Sequence, residues 1–178
     1  MKTVKIRIEG IKPLLQHRFP LEDNPENKSR KKKKEYNAQE DAKKALYQDE
    51  KGKIYQPSTH ILGTMIKAGT QFIYEGRKTY KDIIKTCIII DPDCIPHIHQ
   101  KWEVDRQPVV IQKARIMRAR PRFDKWALEF TIEYDEEIVG KDKLKDILEY
   151  AGARIGIGDF RPMFGRFLIS EFKEIKQK

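Results

Sequence analysis

The stretch that most narrows the choice of fold is AGARIGIGDFRPMFGRF, residues 151–167. It has to close a helix, turn, and open a strand within a few residues. Gly152, Gly156 and Gly158 free the backbone to turn and let another chain segment approach closely. Arg154, Arg161 and Arg166 surround that backbone with positive charge, and Phe160, Phe164 and Phe167 set rings among the charges. Basic side chains, ring faces and backbone N–H groups together can hold a phosphodiester strand. The same residues also describe a tight helix-to-strand connection with ordinary core phenylalanines.

The remaining pattern supplies the elements that this connection joins. Residues 3–8 alternate, with Val4, Ile6 and Ile8 on one face and Lys5 and Arg7 on the other, which predicts a half-buried strand. Pro57 and Ser58 open a helix with Ile61, Leu62, Met65 and Ile66 on one side; Gly63 and Gly69 within it predict close backbone packing. Thr79 and Asp82 form a capping-box pattern before a short helix, 80–85, and 87–90 is a short apolar strand. Residues 109–118 form a second long strand, 120–124 a turn and 125–134 a third strand. The third strand sets Trp126, Leu128, Phe130, Ile132 and Tyr134 on one face. An amphipathic helix over 141–153 and a last strand over 167–172 complete the chain.

Two segments interrupt this order. Residues 16–56 are charged and poor in apolar side chains; within them Asn37 caps a helix over 38–46, and a turn at 49–52 joins a small hairpin. Residues 75–107 are read as a second insertion. Without the insertions the order is β-α-β-β-α-β, an α+β, ferredoxin-like (RRM-like) arrangement in one domain over 1–178. Right-handed crossovers then bring the middle turn and the glycine loop to one rim of the sheet.

That rim gathers the candidate site. Arg120-Pro-Arg-Phe123 and Arg161-Pro-Met-Phe164 repeat one R-P-x-F pattern and should meet there. Arg115, Arg118, Arg120, Arg122, Arg154, Arg161 and Arg166 would grip phosphates, with the backbone at Gly156 and Gly158 between them. Phe123, Phe160 and Phe164 would stack on bases, and Lys31, Lys32, Lys33 and Lys34 would close over the strand. The outer sheet face, with Ala127, Glu129, Thr131 and Glu133, carries carboxylates that repel phosphate, so it is not the platform.

The charge balance agrees. Net charge is +10 and the pI about 9.5, an excess that favours a polyanionic partner, although Lys31–Lys34 supply four of those charges locally. No secretory leader and no apolar run long enough to span a membrane is visible. Cys87 and Cys94 make no disulfide framework, which points to a reducing cytoplasm. No spacing marks zinc, the H-x-H pair His97 and His99 lacks further ligands nearby, and no cofactor motif is present.

On these residues the chain resembles the RAMP superfamily of CRISPR-associated proteins. The features are the ferredoxin-like order, Tyr55-Gln-Pro-Ser-Thr-His-Ile-Leu-Gly63 leading into the first helix, and Gly156-Ile-Gly158…Gly165 before the last strand. Gln56 and Thr59-His60 stand where that family usually has smaller residues. The resemblance is to backbone subunits with a thumb-like insertion, and a stand-alone or phage-borne relative fits as well. It implies single-stranded RNA or DNA as ligand and homo-oligomers or ribonucleoprotein subunits as partners. Relatives also include metal-independent endoribonucleases, for which His60 and His17 are the candidate bases and Tyr36, Tyr47 and Lys67 possible companions; Asp23 matches an acidic residue by which some backbone subunits cut RNA. Three readings follow: a sequence-tolerant strand binder, which we adopt, a nuclease, and an assembly protein without nucleic acid.

Overall fold

The computed structural model describes residues 1–19, 37–111 and 114–175. Along the chain run β1 (Lys2–Gly10), β2 (Leu14–Leu15), α1 (Ala38–Lys44), β3 (Tyr55–Pro57), α2 (Ser58–Gly69), β4 (Ile73–Glu75), β5 (Lys78–Thr79) and α3 (Tyr80–Cys87). They are followed by β6 (Ile88–Asp91), β7 (Cys94–Pro96), β8 (Glu103–Ile111), β9 (Ala114–Phe123), β10 (Ala127–Tyr134), α4 (Lys141–Tyr150) and β11 (Phe167–Ile175). The main sheet has the order β11-β1-β10-β6, antiparallel throughout, with α2 and α4 in the crossovers. This is the ferredoxin-like α+β fold.

The alternation of β1 buries Val4, Ile6 and Ile8 completely, and they join Leu128, Phe130, Ile132 and Tyr134 of β10 in the core. Helix α2 contributes Ile61, Met65 and Ala68, and α4 contributes Leu144, Ile147 and Leu148, the helical spacing read from the sequence. The outer face is neutralised from within, Lys5 pairing with Glu129 and Lys173 with Glu171, while on the core-facing side Glu174, in register with Val4, pairs with Lys2 and with Lys141 of α4. Ala127, expected among the outer residues, is buried instead.

The fourth sheet strand is not where the longest apolar run lies. It is β6, four residues with Ile88 and Ile90 buried, paired to β10 from Thr131↔Asp91 to Tyr134↔Ile88. It falls inside the 75–107 stretch read as an insertion. The 109–118 run belongs to the β8–β9 hairpin, in a separate sheet of order β2-β9-β8. There it leaves Val110, Ile116 and Met117 exposed. A β-branched run signals a strand but not the layer it joins.

The first R-P-x-F stretch is likewise no turn. Arg120–Phe123 is the end of β9, paired with β8 and, at Arg122 and Phe123, with β2. Asn37 caps α1 through its side chain, accepting from the N–H groups of Gln39 and Glu40, as expected. Thr79 takes the N-cap position of α3 but makes no side-chain capping bond. Helix α1 rests on the hairpin through a small satellite core of Ala38, Ala42 and Ala119, edged by Trp102 and Val104.

Candidate nucleic-acid interface

The glycine loop does meet the end of the β1–β2 segment and helix α2. After α4 the chain makes one π-helical turn, Ala151–Ile155. Gly165 N–H donates to Pro13 C=O (2.7 Å), Asp159 N–H to Leu15 C=O (2.8 Å), and Thr64 Oγ1 of α2 to Gly156 C=O (2.8 Å). Gly158 has φ +78°, and a Cβ there would lie 2.4 Å from Leu15 O, so only glycine fits. The N–H groups of Gly156, Ile157, Asp159 and Phe160 are all engaged within the protein. The loop is therefore a packed joint, and those four amides are not free to cradle a phosphate.

The two R-P-x-F stretches come together, but with unequal roles. Arg120 Nε lies 3.1 Å from Asp159 Oδ2, and the Arg120 side chain is only 5% exposed. Its guanidinium carbon sits 5.8 Å from the Phe160 ring centroid. Arg120, expected to grip phosphate, is thus buried against a carboxylate and ties the hairpin to the loop. Phe123, expected to stack on a base, is fully buried in the core and touches the His97 ring. Arg122 pairs with Asp124 at 2.7 Å. Arg166 donates from Nε to Pro162 C=O, bracing the loop. Arg154 and Arg115 are exposed. Lys31–Lys34, Tyr36 and Asp23 lie outside the described residues.

Two of the expected groups are presented outward. Phe160 is 49% exposed, at φ +55°, and stacks on Phe164 with centroids 5.6 Å apart. Arg161 is exposed and borders a cavity of about 220 Å³ with Thr59, His60, Gly63, Lys67 and Gly158. Thr59, His60, Gly63 and Lys67 follow helical spacing, so α2 forms one wall and the loop the other. Neither Lys67 nor Arg161 has a carboxylate within ion-pair distance among the described residues. Gly63, expected to pack against backbone as Gly69 does, opens onto this cavity instead: a Cβ added there would meet no atom within 4 Å. A glycine inside a helix weakens it by roughly 1 kcal/mol relative to alanine. The sequence pointed to His60 and Arg161 singly; Lys67 stood only as a companion to a histidine base.

His60 is half-buried in this wall. Gln56 Nε2 faces its Nδ1 in a short hydrogen bond, and the Tyr47 ring meets it edge-on at 5.4 Å. Burial first, and Arg161 second, lower its pKa below the usual imidazole value. His17 lies elsewhere, in a groove of about 290 Å³ with Arg18, Lys44, Ile116, Met117 and Arg118; burial and then Arg118 lower its pKa. His97 is buried among Gln16 and Gln56, and desolvation brings its pKa to about 4. Among the described residues no cluster of His, Cys, Asp or Glu is arranged to hold a metal ion. A larger cavity, about 410 Å³ beside Trp102, mixes Lys101, Lys125 and Arg122 with Glu103 and Asp124 and carries no single sign of charge.

No known protein family and no curated protein matches the sequence. Among solved structures, the fold is similar to that of a chain in the cryo-EM structure of the type III-B Cmr-beta bound to cognate target RNA, with a TM-score of 0.61 and 12% identity. The alignment covers 98% of this chain and 61% of that one, so this chain spans about three fifths of the relative's length. At that identity the likeness establishes the fold alone, a ferredoxin-like α+β arrangement. Among the described residues no helix is long and apolar enough to cross a membrane.

Proposed function

We propose that the chain binds single-stranded nucleic acid, RNA before DNA, with a phosphate seated between Lys67 and Arg161 and an adjacent base against Phe160. The observation that carries this is the pairing of two cations, without carboxylate partners among the described residues, with an exposed ring stack on one rim. Arg and Lys supply charge to phosphate, and a ring face accepts any base, so the contact tolerates sequence. A second groove, lined by Arg18, Lys44 and Arg118 with His17 and one carboxylate, Asp41, carries a net positive charge, and Arg115 adds an exposed cation on the hairpin. The fold shared with a chain from an RNA-bound complex favours RNA as the first ligand to test. Lys31–Lys34 as a clasp, and assembly of further copies or subunits along the strand, are the wider form of the same proposal.

Fluorescence anisotropy of a labelled uridine-rich strand, titrated across salt, tests it. Wild type should lose affinity steeply as salt rises, because binding releases counterions. The double variant Lys67→Ala/Arg161→Ala should bind more weakly at low salt and flatten the log–log slope by about 0.7, the value for one neutralised phosphate on a single strand. Unchanged affinity and slope would defeat the assignment, and competition with the matching DNA strand decides between the two nucleic acids.

A further inference from the structure

A chain of buried amides runs from the backbone to the cavity, and its direction can be read from its fixed ends. Tyr47 N–H can only donate, and it meets Gln16 Oε1 at 3.0 Å. The other terminal atom of Gln16 is then Nε2, which donates to Tyr55 C=O at 2.9 Å and to Gln56 Oε1 at 3.0 Å. With its oxygen so assigned, Gln56 turns its Nε2 toward His60 Nδ1. An amide nitrogen donates and does not accept, so Nδ1 has to be the unprotonated ring nitrogen. Rotating either amide by half a turn would set oxygen against the Tyr55 carbonyl, or one NH₂ group against the other. Gln16 and Gln56 are both fully buried, so no water relieves such a clash.

We infer that His60 is locked with its proton on Nε2, as a fixed hydrogen-bond donor to a phosphodiester oxygen of the bound strand, and that Gln16 and Gln56 are the positioning residues that hold this tautomer. The inference deepens the reading above and rests on it for the identity of the acceptor. His60 Nε2 has no partner among the described residues and is not sealed from solvent. Arg161, on the opposite wall of the cavity, opposes a second proton on the imidazole, and Lys67 lines the same cavity two turns further along the helix that carries His60. The edge-on Tyr47 ring fixes the imidazole plane. A strand oxygen between the two cations would then receive a third, neutral donor whose orientation is set before binding. The same tautomer is the wrong one for cleavage, because a general base needs its lone pair, not its proton, turned toward the substrate hydroxyl.

The test is long-range ¹H–¹⁵N correlation of the histidine side chains in the full chain near neutral pH, without ligand. The expected result is an unprotonated Nδ1 and a protonated Nε2 for His60. The Nδ1–H form, or an imidazolium, would overturn the inference whether or not RNA binds. A second arm reads affinity for the labelled uridine-rich RNA. His60→Leu should lose about tenfold, as for one hydrogen bond to a charged group worth ~1.5 kcal/mol. His60→Gln, which keeps an N–H donor, should recover most of that loss. Metal-independent RNA cleavage by wild type that vanishes in His60→Gln would also overturn it. If no RNA binds at any salt, the proposed function and the assigned acceptor fail, while the spectrum still decides the tautomer.

Discussion

Asp159→Asn should destabilise the protein more than Arg120→Met, although each removes one end of the same ion pair. The two ends differ in access to water: the Arg120 side chain is 5% exposed and that of Asp159 35%. Breaking a fully buried pair from one side costs about 3–5 kcal/mol, chiefly by stranding a charge in a poorly solvated site. Asn preserves the shape of Asp159 and the oxygen that accepts Phe160 N–H, so the lost charge is isolated. Because the carboxylate end is partly wet, a loss of about 2 kcal/mol is reasonable for Asp159→Asn, or a fall of roughly 4–8 °C in Tm. Arg120→Met keeps an apolar stem in the buried site and leaves a carboxylate that water can reach, at about 0–1 kcal/mol. The double variant should be more stable than Asp159→Asn alone. Thermal and urea unfolding followed by circular dichroism, with unchanged m-values, measures all four proteins. An Arg120→Met loss as large as that of Asp159→Asn, or strictly additive losses, would refute the tether and its asymmetry.

Other perturbations separate packing from binding. Gly158→Ala should lower Tm by several degrees, since φ +78° and the Leu15 carbonyl both reject a side chain, whereas Gly63→Ala meets no atom and should raise Tm while weakening RNA affinity by crowding the cavity. Equal effects of the two on Tm would contradict the open floor at Gly63. Phe160→Ala should lower RNA affinity by about 1–3 kcal/mol with little change in Tm, while Phe123→Ala should lose about 3–5 kcal/mol of stability, read by urea unfolding. The pKa of His97 is about 4 against 6.5 unfolded, so the unfolded chain takes up the proton first; stability should be intact above about pH 6.5 and decline as pH falls toward 4, with His60 and His17 acting in the same direction. A urea midpoint that stays flat over that window, or does not flatten in His97→Gln, would count against it.

Much of the frame was legible because period reports faces. The alternation of β1 and β10 and the apolar stripes of α2 and α4 gave the core, and the order of elements gave the fold. Layer membership was not legible. Ile88–Asp91 is short and resembles many loop-flanking apolar runs, yet it completes the main sheet, while the longer 109–118 run went to a hairpin. Arg120 does meet the glycine loop, but from the end of a hairpin strand and not from the expected turn of the main sheet, and its burial was not legible because Asp159 becomes its partner only in three dimensions. Gln16 gave no local signal, and Gln56 stood out only as a larger residue in the helix entry: a buried amide network spans separations of 40 and 81 residues and leaves no period in sequence.

The satellite core beneath α1 is made of three methyl groups, those of Ala38, Ala42 and Ala119. So little apolar area holds one seven-residue helix to the hairpin that its amides should exchange with solvent through a detachment of their own, well before the main sheet opens. Because Asp41 and Lys44 of this helix line the groove of His17 and Arg118, early exchange of its amides would mark one wall of that groove as the first part of the fold to open.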